Sequence, residues 1–426
     1  MTLGLANMRA LMDRLDHPER RFRSVLVAGT NGKGSVTAML ASILHRHGLR
    51  TGRYISPHVF SVVERIAIDG EFVSLAEMEA AAARVVPLYG EIPFSYFEAL
   101  TAIAFLVFAQ RGVEVAVLEV GLGGRFDATN VVEPAVSVVT SISLDHRRIL
   151  GDTEEEILRE KLGVARAGVP LLVGALAPEL RAVVDERAAR TGFEVFGPAE
   201  LGDATVEEEF LGGVRVHLRT PRADYGSARV RFGGRHQAVN ALLATGAAER
   251  LLPSLERAVE GLESATIAGR FECLARGDRT FVLDVAHNDA ALVATADHLA
   301  RFRPREECAL VFGLLKRKEL FEAPRHLLRA AGCLCLVEPD AEPGSNDAAF
   351  PPHELLARYF APLLPNAATD VMLWNRTASG DDSLARAKRW LDGDGRRFKV
   401  VLATGSHRVV EGFGGRILAD AIGSAR

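Results

Sequence analysis

The run Ala28-Gly29-Thr30-Asn31-Gly32-Lys33-Gly34-Ser35 constrains this chain more than any other segment. It follows an apolar stretch, Ser24 to Ala28, that reads as a buried strand, and it opens a stretch from Ser35 to His47 of helical character. Strand, glycine-rich turn, lysine, hydroxyl and helix together make a phosphate cradle. Glycines let backbone N–H groups close on phosphate oxygens, and the helix N-terminus adds partial positive charge. Lys33 would reach the outer phosphates and Ser35 would face Mg²⁺. Nucleoside triphosphate binding is the expectation. The spacing departs from the common Walker A pattern: Val27 stands at the first glycine position, and Gly34 separates Lys33 from Ser35.

The remaining strand and helix signals alternate. Leu5 to Leu15 repeats apolar residues at helical spacing, and Phe94 to Gln110 reads as a long apolar helix. Thr51 to Ile55, Val113 to Val120 and Ala135 to Thr140 read as strands, which argues for a doubly wound, mostly parallel sheet. Residues 205–232 alternate apolar and polar, as half-exposed antiparallel strands do, and His236 to Leu252 reads as a helix. A second set of strands is expected at Thr280 to Val285, Cys308 to Phe312, Gly332 to Val337 and Lys399 to Ala403, with a loop from Asp340 to Pro352. The expected architecture is α/β: a P-loop sheet with a small antiparallel sheet over residues 1–266, then a smaller Rossmann-like α/β domain over 267–426.

With 426 residues, 48% hydrophobic and 25% charged, the chain has the composition of a globular protein. A net charge of −4 gives no broad basic field for nucleic acid or anionic lipid. No apolar run approaches the roughly 20 residues of a membrane helix, and no leader segment is expected ahead of the phosphate loop. The four cysteines match no zinc framework and read as buried thiols of a cytoplasmic protein, with Cys333 and Cys335 on one strand face.

Charged residues at strand ends carry the remaining chemistry, because ligands of parallel sheets gather at the carboxyl ends of strands. Glu119 ends the run VAVLEV, and Asp145 and His146 follow the strand that ends at Thr140. A buried charge at such an end is costly unless paired or metal-bound. Glu119 and His146 are therefore candidate ligands for the nucleotide's metal; the competing readings are a salt bridge from Glu119 to Arg125 and a plain surface histidine. Thr153 and Glu156 form a capping box that starts a helix bearing Glu160 and Lys161, and composition alone makes Lys161 an exposed helical lysine. In the second half, Asp284, His287 and Asn288 follow the strand FVLDV. Arg270 would serve either as a phosphate clamp or as a hinge ion pair. Ser406 follows another strand.

In order along the chain these residues make a connected set: Gly29 to Ser35, Ser56-Pro57-His58, Ser95-Tyr96-Phe97-Glu98, Leu118 to Asn130, Leu144-Asp145-His146, Glu160-Lys161, His236-Gln237 with Asn240, Gly269-Arg270-Phe271, Asp284 with Ala286-His287-Asn288, and Thr404-Gly405-Ser406. The set resembles the folylpolyglutamate synthase/dihydrofolate synthase family of the Mur ligase superfamily over nearly the whole chain. The stretch from Leu118 to Asn130 is its most specific part.

The resemblance implies an ATP-dependent ligase that adds L-glutamate to dihydropteroate or to a folate's terminal glutamate through an acyl phosphate. Such chemistry needs positioning and phosphate neutralisation rather than a protein nucleophile. By resemblance, Gly29, Thr30, Asn31, Gly32, Lys33, Gly34 and Ser35 hold ATP, joined by Asn240, Arg270 and Asp284 as the C-terminal domain closes over glutamate. Ser56, Glu119 and His146 would be magnesium ligands. Lys161, carbamylated in this family, would act as an anion toward a second Mg²⁺. Ser95, Tyr96, Phe97 and Glu98, with Phe126, Asp127 and Ala128, match pteroate-binding segments. His287 and Ser406 would face glutamate or the acyl phosphate. The implied partners are these small molecules, acting on a monomer.

Departures from the family pattern fall at Val285, Asp289, Leu162, Arg147, His407 and Arg408, none of them a phosphate or metal position. The rivals are a peptidoglycan-type Mur ligase, for whose extra domain the 28 residues before Gly29 leave no room, a plain P-loop ATPase acting as switch or motor, and an inactive binding protein.

Overall fold

The computed structural model describes residues 4–340, 348–364, 369–375 and 382–423. Most of the expected loop from Asp340 to Pro352 lies outside them. The described residues divide into two compact units, one from residues 1–208, 215–230 and 236–267, the other from Glu209–Val214, Arg231–Arg235 and Ala268 onward.

The first unit holds eight strands: β1 (Arg23–Ala28), β2 (Thr51–Tyr54), β3 (Ile66–Ile68), β4 (Glu71–Phe72), β5 (Val115–Glu119), β6 (Pro134–Val139), β7 (Leu171–Val173) and β8 (Val195–Phe196). Their order is β4-β3-β2-β5-β1-β6-β7-β8. From β2 to β8 every pairing is parallel, and β3 and β4 run antiparallel at one edge. The central strands are apolar along their whole length because helices cover both faces. The helix Tyr96–Gln110 buries Leu100 through Phe108 against that sheet, and Phe105 and Phe108 stack around Phe22. The helices Lys33–Arg46 and Gln237–Glu249 pack on each other, and small residues of the latter (Ala241, Ala244, Ala247, Ala248) allow the close approach.

A three-stranded antiparallel sheet follows, with β9 (Asp203–Phe210), β10 (Gly213–Arg219) and β11 (Asp224–Val230) in the order β11-β10-β9. The alternating pattern read in the sequence appears in the burial of β10, whose Val214, Val216 and Leu218 are fully buried.

The second unit holds β12 (Glu272–Arg276), β13 (Arg279–Leu283), β14 (Cys308–Phe312), β15 (Cys333–Val337), β16 (Asp370–Trp374) and β17 (Val400–Thr404), in the order β12-β13-β17-β14-β15-β16. Only the β12–β13 pairing is antiparallel. Cys333 and Cys335 share a face of β15, with their sulfurs 3.7 Å apart as free thiols. Among the described residues no helix is long and apolar enough to cross a membrane.

Candidate active site

Strand order assembles the residues of the first unit's site. The neighbours β2, β5, β1 and β6 all end at one edge of the sheet. Beyond their carboxyl ends lie Ser56, Glu119, the Gly29–Ser35 loop and the segment Ser141–His146, in that order across the edge. The first helical turn after the loop begins at Lys33, two residues earlier than the sequence pattern suggests, with Gly32 (φ 85°) as its N-cap.

Gly29 adopts φ 144°, and a Cβ there would stand 1.9 Å from the Thr140 hydroxyl oxygen, so only glycine lets the loop cross so close to β6. The loop is tied to the strand's exit. Thr30 N–H donates to the Ser141 carbonyl (2.7 Å), Asn31 N–H to the Ser141 hydroxyl (3.1 Å), and the Asn31 amide to the Ser143 hydroxyl (3.3 Å). Thr140 Oγ1 donates to the Asn31 carbonyl at 2.6 Å. Gly32 packs against Asn240, so a Cβ at Gly32 would meet the Asn240 amide at 2.8 Å. Contacts within the protein thus set the shape of the loop.

Two lysines enter this cradle. Lys33 Nζ donates to the carbonyls of Gly29 and Thr30, each at 3.1 Å. Lys161 ends the helix Glu154–Lys161 and donates to the Gly29 carbonyl at 2.8 Å. It is 4% exposed, which removes the exposed-helix reading. Burial, reinforced by the charge of Lys33, brings its pKa down to about 7. Much of Lys161 is then a neutral amine near pH 7, the form that combines with carbon dioxide.

Glu119 is 2% exposed, and its Oε2 accepts the N–H of Ser56 at 3.2 Å. Arg125 pairs with Glu160 instead (3.7 Å), so the alternative of a Glu119–Arg125 bridge does not hold. Arg53 is a cation near Glu119, itself buried with its pKa lowered by that burial, and its Nη1 donates to the Thr266 carbonyl at 2.9 Å. The Glu119 carboxylate and Ser56 hydroxyl are hard oxygen donors beside a phosphate loop, which suits Mg²⁺. His146 sits in the left-handed region (φ 52°), with its N–H on Asp145 Oδ1 at 2.7 Å. Lys161 as an amine repels a cation and fits a second metal only once converted to a carbamate.

The pteroate-type segments divide between scaffold and surface. Ser95 and Glu98 cap each other at the start of the helix Tyr96–Gln110. Phe97 lies under Gly121, where a Cβ would meet its ring at 2.6 Å. Asp127 is buried and holds the N–H groups of Leu122 and Thr129 and the Thr129 hydroxyl, so its carboxyl folds the Gly121–Asn130 loop. Burial nevertheless pushes its pKa up. Ala128 is buried, whereas Tyr96 (65% exposed) and Phe126 (43%) present rings to solvent. Those two are the members of the set available to stack on a flat ligand.

Arg270, Asp284, His287 and Ser406 belong to the second unit. β13 and β17 are neighbours, so Asp284 and Ser406 follow adjacent strand ends. Asp284 accepts the Ala286 N–H at 2.7 Å and is attracted to Arg270, yet burial dominates and lifts its pKa to about 6. His287 Nδ1 donates to the Val285 carbonyl at 2.8 Å. Ser406 Oγ accepts the Val409 N–H at 3.3 Å at the start of the last helix. Asp289, one of the departures from the family pattern, holds the N–H groups of Phe321, Glu322 and Ala323.

Sequence reasoning did not find Glu64. Its carboxylate accepts the N–H groups of Val59 (2.9 Å), Phe60 (2.8 Å) and Ser61 (2.7 Å) and so shapes the loop that begins at Ser56. The signal was present as Ser61-x-x-Glu64, a capping box.

Fold and cradle define a Mur-type ligase: the Mur ligase middle domain matches residues 27–248. The chain is 37% identical over 333 residues to the dihydrofolate synthase/folylpolyglutamate synthase of Bacillus subtilis, covering 74% of this chain and 76% of that protein. The Escherichia coli FolC structure in complex with DHPP and ADP superposes with a TM-score of 0.83 at 27% identity, over 99% of this chain and 94% of that one. A bifunctional folylpolyglutamate synthase/dihydrofolate synthase with Mn, AMPPNP and L-glutamate bound gives 0.81 at 29% identity, over 98% and 95%. The chain belongs to the folylpolyglutamate synthase/dihydrofolate synthase family of ATP-dependent ligases.

Proposed function

We propose that this chain joins L-glutamate to the carboxylate of dihydropteroate, of a folate's terminal glutamate, or of both. The observation that carries the reading is the cradle at the ends of β2, β5, β1 and β6, where phosphate loop, hard oxygen donors and two lysines converge. The γ-phosphoryl group of ATP passes to an acceptor carboxylate oxygen, and ADP leaves. The glutamate amine attacks the acyl carbon and loses a proton, and the tetrahedral intermediate expels phosphate. Lys33 and the N-terminus of helix Lys33–Arg46 neutralise charge that builds on the transferring group.

Mg²⁺, held by Ser56, Glu119 and His146, would supply Lewis-acid neutralisation of the phosphates. A low amine pKa and burial support carbamylation of Lys161, which would supply the anion for a second Mg²⁺. Arg270, Asp284 and Asn240 are assigned to ATP, and His287 and Ser406 to glutamate or the acyl phosphate. The solvent-facing rings of Tyr96 and Phe126 support a pterin-like acceptor. Every residue given a role lies on one chain, so the reading needs only a monomer.

The test is phosphate release from ATP with Mg²⁺ and L-glutamate, comparing dihydropteroate with tetrahydrofolate and weighing the products by mass spectrometry. A glutamate-sized gain on both acceptors marks a bifunctional enzyme, and a gain on one identifies the acceptor. Phosphate release without amide product overturns the ligase reading in favour of an ATPase. No turnover with either acceptor points to another carboxylate.

A further inference from the structure

A buried polar cluster in the second unit stands apart from the residues given roles above. His298, on the helix Asp289–Ala300, is 2% exposed. Its ring meets Phe271 edge-on with centroids 4.7 Å apart, and Phe302 at 4.9 Å. Nε2 faces the Leu211 carbonyl at 3.1 Å. A carbonyl only accepts, so Nε2 carries the proton. Nδ1 stands 3.6 Å from Oε2 of Glu209, whose other oxygen accepts from Arg235 (2.7 Å) and Arg301. All these residues belong to the second unit. Burying an imidazole beside a carboxylate costs more than burying a leucine of similar volume, so packing alone does not account for the histidine.

Phe271 supplies the reason. Its φ is +53°, in the left-handed region, where a bulky non-glycine residue is an outlier. Such a conformation persists only where surroundings over-determine it. Three contacts do so. The His298 edge meets the ring on one side. Gly233 meets it on another, where a Cβ would stand 2.6 Å from Phe271 Cγ. The Phe271 N–H is held by Asp284. Arg270 shares that peptide with Phe271, so the left-handed turn sets the direction in which the Arg270 side chain leaves the backbone. Asp284 attracts the Arg270 guanidinium as well.

We propose that His298 is a positioning residue for Arg270: its ring wedges Phe271 into the left-handed turn that sets where the Arg270 side chain leaves the backbone beside Asp284. Leu211 and Glu209 fix the imidazole from behind. This rests on the assignment of Arg270 to ATP made above.

A double-mutant cycle on the full chain tests it, with glutamate addition, KM for ATP and melting temperature measured for each protein. His298→Ala should lower kcat roughly tenfold with KM for glutamate unchanged, and in an Arg270→Ala background the same change should cost nothing further. His298→Phe, which keeps the wedge and loses the Leu211 bond, should stay within about threefold of the parent. If His298→Ala does not fold, His298→Leu replaces it in the cycle, because it fills the volume without an aromatic edge. Losses that multiply across the cycle, or a Phe variant as slow as the Ala or Leu one, overturn the positioning role alone. A parent protein that adds no glutamate to either acceptor overturns the underlying reading and the inference with it.

Discussion

Lys33 and Lys161 send their ammonium groups to one backbone oxygen, the carbonyl of Gly29, at 3.1 and 2.8 Å. Lys33 also donates to the Thr30 carbonyl, and Asp145 and Asp127 attract Lys161, but burial and the Lys33 charge outweigh that attraction. Holding the Lys161 ammonium in this place costs stability.

Lys161→Met should therefore raise stability while abolishing turnover. The folded pKa of Lys161, about 7, lies below its ordinary value of 10.5. Between those values the unfolded chain binds more protons than the folded one, so stability rises with pH across that window. Methionine removes this dependence. Its advantage should be largest at pH 7, roughly 1–4 kcal/mol, and should fade toward pH 10. Urea denaturation at both pH values in buffer freed of carbon dioxide measures it. Equal gains at both, or retained turnover, contradict the assignment. Bicarbonate should not rescue Lys161→Ala.

Lys33→Ala should lower kcat by about 10²–10³, the loss typical of one preorganised donor to developing negative charge. The fold should be retained, since the loop is tied to Ser141 and Ser143 by groups other than the ammonium. The neighbouring amine should also change: with the Lys33 charge gone, the pKa of Lys161 rises and less of it is neutral at pH 7. Phosphate release and circular dichroism suffice to check the first claim. A near-normal rate would remove Lys33 from the phosphates.

The strand-end residues were legible because the physics is local: an apolar run long enough for a buried strand, then a charge or a glycine turn. The same reasoning places Glu119 and Asp145 correctly at the ends of β5 and β6 without saying what meets them. As the alternative to a metal it offers Arg125, six residues on, because sequence shows near neighbours. Arg53 comes from another strand and is brought near only by the β2–β5 pairing. Lys161 looked exposed for a similar reason. The helix Glu154–Lys161 is polar overall, and only the crossing beside Gly29 buries its last residue. Asp127 reads as a ligand contact in a motif, yet its oxygens are spent on Leu122 and Thr129. A carboxyl that shapes a loop and one that meets a ligand give the same pattern in sequence.

Gly124→Ala should damage the site without touching a ligand. A Cβ there would stand 2.7 Å from the Lys161 carbonyl, 2.9 Å from that of Glu160 and 3.0 Å from Lys161 Cα. All three are backbone atoms with no flexible end to yield, so the helix end must shift and carry Lys161 with it. A loss of about 1–3 kcal/mol and at least tenfold in kcat is expected. Gly415→Ala is the control. It lies in the last helix with nothing within 4 Å of its would-be Cβ, and it should stabilise by about 0.4–1 kcal/mol. Equal behaviour of the two variants in denaturation and turnover would dissociate Gly124 from the site.

Glu64 tests whether the Ser56 loop matters through its shape. One carboxylate gathers the N–H groups of Val59, Phe60 and Ser61, and the loop they belong to begins at Ser56, whose own N–H is held by Glu119. Glu64→Ala strands three backbone donors, each costing about 1–3 kcal/mol if it stays buried, so the loop should open toward water instead. Ser56 then loses its fixed place beside Glu119. The Mg²⁺ concentration for half-maximal rate should rise roughly tenfold, while nucleotide affinity measured in EDTA stays near the parent value because the Gly29–Ser35 loop is built from other contacts. Glu64→Gln keeps one acceptor oxygen for Phe60 and Ser61 but turns its NH2 toward the Val59 N–H, and should fall between. Manganese titration followed by electron paramagnetic resonance reads metal affinity without turnover. An unchanged manganese affinity in Glu64→Ala would separate this loop from the metal.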